Sequence, residues 1–292
     1  MSPRHLVSTM MVLAFLSTML VLHLHPVRAD FSVMNESWNG LSEFAGTKDT
    51  CTLESIVESS APISPATIVA VGQDVAEFGT DDAVDTLRTF VESGGMLVLL
   101  ADGHAATDLL DQLEVGVEVV GSPLVDPLHC FRDPALPRVY PTRAGESGDR
   151  RLVLNHASWL TVNEKARVLL QSSFFAYGDT NENGQYDENE PAGRLPVATV
   201  TLLGSGQVLV VADSSLLLNG MLEISDNLSW LESQCAEPML LLQPTDSFAL
   251  PGTIYEEQVE HLTSPTGVLI AALAAISISV MYAWYNRERH HE

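Results

Sequence analysis

Gly94-Gly95-Met96-Leu97-Val98-Leu99-Leu100-Ala101-Asp102 is the stretch on which the fold turns. Six apolar residues in succession, without polar alternation, fit a strand covered on both faces. The glycine pair ahead of them stops a helix. That helix begins after Thr80, which can cap it, and its first turn holds Asp81 and Asp82, where the helix dipole favours negative charge. Val84, Leu87, Phe90 and Val91 form its apolar stripe. Upstream, Thr67-Ile68-Val69-Ala70-Val71 is another continuous apolar run. Downstream, Ala105–Leu113 reads as a second helix with Leu109, Leu110 and Leu113 facing inward. Strand, helix, strand, helix in this rhythm predicts an α/β fold around a mostly parallel sheet with right-handed crossovers.

Outward from this centre the signals shorten. Phe31–Met34 reads as a first short strand, Asn39–Phe44 as a helical turn and Thr52–Val57 as a second candidate element. Later strands are expected at Arg151–Leu154, Ala166–Gln171, Pro196–Leu203 and Gln207–Ala212, with Leu169 to Tyr177 extended as well. Gly204-Ser205-Gly206 joins the last two as a hairpin. Ser215–Leu222 and Asn227–Gln234 read as short helices. The polar, Pro-containing segment 243–265 is expected to be a stalk.

Both termini suggest a membrane address. Arg4 and His5 precede an apolar run from Leu6 to Leu22, and Val27-Arg28-Ala29 carries small residues where a signal peptidase reads. Residues 1–29 are therefore either a cleaved secretory signal or an uncleaved anchor. Val268 to Trp284 is apolar apart from two serines, with Tyr282, Trp284 and Tyr285 as interface anchors, so 266–285 is expected to span a membrane. Arg287 and Arg289 follow it, whereas Glu256, Glu257 and Glu260 precede it. Positive residues stay inside, which puts the tail 286–292 in the cytoplasm and the domain 30–242 outside.

With the stalk, that outward part, residues 30–263, holds 36 of the 38 acidic residues and 10 of the 14 basic ones. Such an excess excludes nucleic acid as a partner, because nothing offsets the phosphate charge. It attracts divalent cations instead. Arg132, Arg138, Arg143, Arg150 and Arg151 concentrate half of its basic residues in one stretch. They read either as a solvated loop whose arginines pair with the acidic body or as a docking strip for an acidic partner.

Asp179-Thr180-Asn181-Glu182-Asn183-Gly184-Gln185-Tyr186-Asp187-Glu188-Asn189-Glu190 has oxygen-bearing side chains at positions 1, 3, 5, 9 and 12 and glycine at 6. This is the spacing of a calcium loop. Asp179, Asn181 and Asn183 would offer side-chain oxygens and Gln185 its carbonyl. Asp187 would bind directly or through water, and Glu190 would close the shell with both oxygens. Asp, Asn and Gly also make ordinary turns. No amphipathic helix precedes the loop, so a structural calcium is expected rather than a switch.

Cys51, Cys130 and Cys235 are too widely spread for a metal knuckle; in an external compartment one disulfide, Cys130 with Cys235, and one buried thiol are expected. Asn35-Glu36-Ser37 and Asn227-Leu228-Ser229 match the N-glycosylation pattern, which is too common to carry weight.

Phe31-Ser32-Val33-Met34-Asn35-Glu36-Ser37-Trp38-Asn39-Gly40, the Gly94–Asp102 stretch, Asp179 to Glu190 followed by Leu195-Pro196-Val197-Ala198, and Val211-Ala212-Asp213 through Asn219 with Asp226-Asn227 beyond occur in this order. The set resembles the domain-of-unknown-function family numbered 4350. That family is similar in fold to class I glutamine amidotransferases and to auxiliary subunits of gliding-motility-type transporters; its members are commonly membrane proteins without an established activity. The resemblance implies a flavodoxin-like sheet. In the amidotransferase fold the nucleophilic cysteine would stand where this chain has Asp102-Gly103-His104. No late His-x-Glu pair follows either, since the only histidine between Asp213 and the apolar C-terminal segment is His261. Nucleophilic catalysis needs nucleophile, base and orienter within reach of one another.

Asp102 and His104 are left as a carboxylate–imidazole pair at the carboxyl end of a central strand, where α/β sheets bind ligands, or as an exposed loop with a helix cap. The expectation is a non-catalytic external domain that binds or scaffolds an envelope component or membrane protein. A small-ligand sensor or hydrolase at the Asp102–His104 crevice is the alternative, and an accessory subunit of a membrane transporter is a third.

Overall fold

The computed structural model describes residues 30–58, 66–72, 80–142 and 151–242. The expected signal or anchor, stalk, membrane span and tail lie outside the described residues, as do Arg143, Arg150 and His261. Among the described residues no helix is long and apolar enough to cross a membrane.

The apolar runs form the centre of a ten-stranded sheet. Its parallel half is built from β1 (Asp49–Cys51), β2 (Thr67–Val71) and β3 (Met96–Leu100), with two strands from late in the chain. Strands β4 (Val117–Val119) and β5 (Leu124–Val125) lie off the main sheet. The antiparallel half uses β6 (Cys130–Phe131), β7 (Asp133–Pro141), β8 (Leu152–Val153) and, after the off-sheet β9 (Leu160–Val162), β10 (Ala166–Gln171). The off-sheet β11 (Tyr177–Gly178) precedes β12 (Pro196–Leu203), β13 (Gly206–Val211) and finally β14 (Met239–Leu242). The order is β1-β14-β2-β3-β13-β12-β10-β7-β6, with β8 beside β7. All neighbours from β1 to β13 are parallel, and all from β13 to β6 are antiparallel. The expected α/β fold with a large sheet and a later hairpin is present, and the sheet is mixed because the hairpin β12–β13 reverses direction beside the central β3.

Alternation on the strands splits the interior into two layers. Val69, Val71, Val98, Leu100, Leu209 and Val211 face one core, closed by Leu41, Phe44, Leu216, Leu217, Trp230 and Leu231. Ile68, Ala70, Leu97, Leu99, Val208 and Val210 face the other, closed by the helix Asp81–Glu92 and by Leu109 and Leu110 of the helix Thr107–Gln112. Strands covered on both faces need apolar residues at every position, hence the unbroken runs. Val84, Leu87, Phe90 and Val91 are all buried, as their spacing predicts. Thr80 holds the N-cap position in extended backbone but makes no side-chain cap bond. Gly206 starts β13 where a Cβ would stand 2.1 Å from the carbonyls of Gly95 and Val91, so no other residue fits there.

Several expectations are corrected. Phe31–Met34 is a turn segment, not a strand: Phe31 has φ +61°, and the stretch Asn35–Ser37 that follows is fastened from outside by Asn219. The Asn219 Nδ2 group donates to the carbonyls of Asn35 (3.0 Å) and Ser37 (2.7 Å), while its oxygen accepts from the Glu43 N–H. The extended run Leu169–Tyr177 breaks after Gln171 into a turn. All three cysteines are free. Cys130 lies on β6 at one edge of the sheet and Cys235 just before β14 near the other, so the sheet's width separates the expected disulfide partners. Both glycosylation-type asparagines are fully buried.

Candidate functional site

Two neighbouring parallel strands end in the same way. Leu100 on β3 pairs with Val211 on β13, and each continues as Ala-Asp: Ala101-Asp102 and Ala212-Asp213. The Ala101 N–H donates to the Val211 carbonyl at 3.0 Å, carrying the ladder one residue further. Two carboxylates therefore leave the sheet at one level, at the carboxyl edge where α/β folds hold ligands.

They have different environments. Asp213 is fully buried; Oδ1 accepts from the Ser215 N–H (2.7 Å), capping the 3₁₀ turn Ser214–Leu217, and Oδ2 accepts from the Asn155 N–H (2.9 Å). Burial pushes its carboxyl up to about 7 against those two amides, with the Asp102 charge adding to the rise. Asp102 is half-buried, and its Oδ2 accepts from the Ser214 hydroxyl at 2.6 Å. His104 opens the 3₁₀ turn His104–Ala106 with an exposed ring that lies against the Gly121 main chain, where φ is +81° and a Cβ would come within 2.7 Å of the imidazole. Gly121 in turn donates to the Ser158 hydroxyl, and the Ser158 N–H donates to the Ala212 carbonyl. The structure brings Asp102 to Ser214 rather than to His104. The pair Asp102–Ser214 can accept hydrogen bonds, and the buried Asp213 beside it is the carboxyl whose pKa is raised to about 7.

Ser214 and Asp213 were missed as site residues. The signal was the repeated apolar-Ala-Asp ending of two strands, which has no meaning until those strands are known to be neighbours.

The loop 179–190 curls as its spacing predicts. Asp179 is 3 % exposed and accepts from the N–H groups of Asn183 (3.0 Å) and Gly184 (2.7 Å). Asn181 accepts from the Asn183 N–H and Asn183 from the Gln185 N–H. The amides of Asn181 and Asn183 both donate to Asp187 Oδ2, at 2.8 and 2.9 Å. Glu190, 6 % exposed, accepts from the Thr180 N–H with one oxygen and from the Asp187 N–H with the other. Gly184 has φ +75° with open space around it. The Tyr177 hydroxyl beneath is pushed up by burial first and then by the charges of Asp179, Glu190 and Asp187. Positions 1, 3, 5, 9 and 12 are thus tied into one hydrogen-bonded ring. Among the described residues no three His, Cys, Asp or Glu side chains converge into a metal-holding group. A calcium here would need the Asn oxygens and the Gln185 carbonyl beside the carboxylates.

Two of the thiols, Cys51 and Cys235, have the opposite of an activated environment. Burial pushes both Cys51 and Cys235 up to about 12.

The sequence pattern of the family described as a domain of unknown function, DUF4350, matches residues 34–233. The chain belongs to the DUF4350 family. The DUF4350 span includes Asp102, Asp213, Ser214 and the whole loop 179–190. No curated protein matches the sequence. Among solved structures, the mmIFT52 N-terminal domain is 15 % identical with a TM-score of 0.43, over 58 % of this chain and 74 % of that one. The beta-galactosidase from Bacillus circulans sp. alkalophilus is 15 % identical with a TM-score of 0.33, and covers 60 % of this chain. The match spans only 24 % of the galactosidase. Cytoplasmic Protein STM1381 from Salmonella typhimurium LT2 is 15 % identical with a TM-score of 0.33, over 51 % of this chain and 60 % of that one. Likenesses this shallow carry no functional argument.

Proposed function

We propose that this DUF4350 protein is a non-catalytic external domain, anchored in a membrane by its C-terminal apolar segment, that binds or scaffolds another envelope component. Its parallel half is read as a flavodoxin-like, amidotransferase-like core in which the nucleophile position has become a recognition position. The observation that carries this reading is Asp102: a carboxylate engaged by the Ser214 hydroxyl stands where a free thiol would be needed. The raised Cys51 and Cys235 thiols point the same way, since a nucleophilic cysteine needs a lowered pKa. The acidic surface favours basic patches on the partner and divalent cations.

Affinity purification of the full chain from detergent-solubilised native membranes, with identification of what co-elutes, tests this role. A stoichiometric envelope protein is the expected result; a permease or ATPase would assign the accessory-subunit role. Glutaminase, esterase or peptidase turnover lost in one of Cys51→Ser, Cys130→Ser or Cys235→Ser would overturn it. The Asp102–Ser214 bond favours one second reading, a hydrolase whose hydroxyl is activated by a carboxylate. Turnover abolished by Ser214→Ala would establish that reading instead.

The loop 179–190 is proposed to hold a structural calcium. An extracellular loop of this kind binds at roughly 10⁻⁴–10⁻³ M, so 10 mM calcium should stabilise the domain by about 1.4 to 2.7 kcal/mol. Asp179→Ala and Glu190→Ala should each remove most of that gain in a melting experiment. Identical melting curves with calcium and with chelator would leave the segment an ordinary turn.

A further inference from the structure

A cavity of about 800 Å³ opens on the antiparallel half of the sheet, away from the strands that carry Asp102 and Asp213. Three arginines line it, Arg138 from β7, Arg151 just before β8 and Arg194 just before β12, and among the described residues no carboxylate does. In a chain of formal charge −24 this is an inversion of the surface. Among the described residues the ion pairs engage Lys48 and Arg88, and none engages these three arginines. Arg138 is aimed by its Nε donating to the Cys130 carbonyl (3.2 Å) and by its place over the Phe131 ring, which leaves its terminal N–H groups for a ligand.

The other half of the lining is aromatic and fixed in place. The His129 ring stacks on Phe175 at 5.5 Å with 22° between planes, and its Nδ1 lies 3.1 Å from the Tyr140 hydroxyl. Phe174 meets Phe175 edge-on. Phe174 is 72 % exposed and Phe175 49 %, large apolar areas for a surface this charged. The turn that presents them is braced: the buried Ser172 hydroxyl donates to the Gly193 carbonyl (2.9 Å) and accepts from the Leu195 N–H (2.9 Å), and the Phe175 N–H donates to the Ser173 hydroxyl (3.0 Å). The same bracing holds Arg194, between Gly193 and Leu195, beside the aromatic turn.

Cavities of this volume suit small molecules. Clustered guanidinium groups select a carboxylate or phosphate, and an exposed aromatic surface selects a flat apolar face. The charge of the whole body repels long polyanions, while a small anion reaches the arginines within their own short-range field. We propose that this groove binds a small ring compound bearing one carboxylate or phosphate, with the anionic group on Arg138, Arg151 and Arg194 and the ring face against Phe175.

Calorimetric titration of the detergent-solubilised full chain with glucuronate, glucose 6-phosphate, glucose, inorganic phosphate and an octaglutamate peptide tests the proposal. Glucuronate or glucose 6-phosphate should bind at least about tenfold more tightly than glucose and than phosphate, each of which supplies half of the recognition. Whichever of the two binds names the anion. The double variant Arg151→Gln/Arg194→Gln should weaken that binding about tenfold or more, and Phe175→Ala should weaken the sugar acid or ester while leaving free phosphate unchanged. Unchanged melting temperatures would show that these surface variants remain folded. Failure of both sugar anions to bind, equal binding of phosphate and glucose 6-phosphate, indifference to the arginine variant, or tighter binding of octaglutamate would each overturn the proposal. These outcomes are independent of which envelope protein co-purifies.

Discussion

Asn227→Ala should lower the unfolding free energy of the domain by about 3 to 5 kcal/mol, enough to abolish folding if the starting stability is modest. The Asn227 side chain is fully buried and acts as a piece of strand. Its oxygen accepts from the Val153 N–H at 3.0 Å, and its amide donates to the Val153 carbonyl at 2.9 Å and to the Met221 carbonyl at 3.3 Å. One side chain thus satisfies both backbone groups of a β8 residue and ties the helix Asn227–Gln234 to the sheet. Truncation to alanine would leave both buried backbone groups of Val153 short of a partner, each worth about 1–3 kcal/mol, while the Met221 carbonyl keeps the Ile224 N–H. Urea unfolding followed by circular dichroism measures the loss directly. An unchanged midpoint would mean that water replaces the amide, contrary to its burial. The same burial makes a glycan at Asn227 incompatible with the native fold, although the tripeptide Asn227-Leu228-Ser229 invites one.

Stability should fall as pH rises through neutrality because of Asp213. A carboxyl whose pKa rises on folding binds its proton more tightly in the native state. That contribution is fully present below the unfolded value near 3.8 and is lost as pH climbs through about 7. From pH 4 to 8 the loss is roughly 4 kcal/mol, of which about 1.4 kcal/mol falls between pH 6 and 8. Asp213→Asn removes the titration. It also sets an amide N–H against either the Asn155 or the Ser215 N–H, so its stability at low pH should be below wild type. The difference between the two proteins should therefore shrink steadily from pH 4 to 8. A constant difference across that range would mean that Asp213 ionises normally.

The central layer was legible because both faces of its strands are covered. A strand with no solvent side is written as an unbroken apolar run, and Thr67–Val71 and Met96–Leu100 are such runs. Ala166–Gln171, Pro196–Leu203 and Asn227–Gln234 also fall where expected. What was not legible is short or depends on pairing. The two-residue strands β5, β6 and β11 are too brief to show any period, whereas β8 falls inside the expected Arg151–Leu154. Phe31–Met34 reads as a strand, yet its backbone closes a turn: the Phe31 N–H donates to the Asn39 carbonyl, and the Ser32 carbonyl accepts from the Asn35 and Leu41 N–H groups. In the candidate site, Asp102 could be read from its place after an apolar run. Asp213 could not, since an Asp ahead of Ser-Ser reads as a helix cap until β13 is known to lie beside β3. The turn of the loop 179–190 was legible at Gly184, whose φ is +75°, because its side chains act on backbone within the same twelve residues.

The position of β14 sets the order in which this molecule can be completed. Met239–Leu242 is the last described strand, yet it inserts between β1 and β2, and among the described residues β1 pairs only with it. A nascent chain that has emerged only as far as residue 238 therefore exposes a bare edge of β2, and its first strand has no docking place. Closure waits on contacts between residues almost two hundred positions apart, the kind of long-range pairing that slows folding. Loss of those four residues would consequently be felt as failed maturation, at a place far in sequence from every strand it strands.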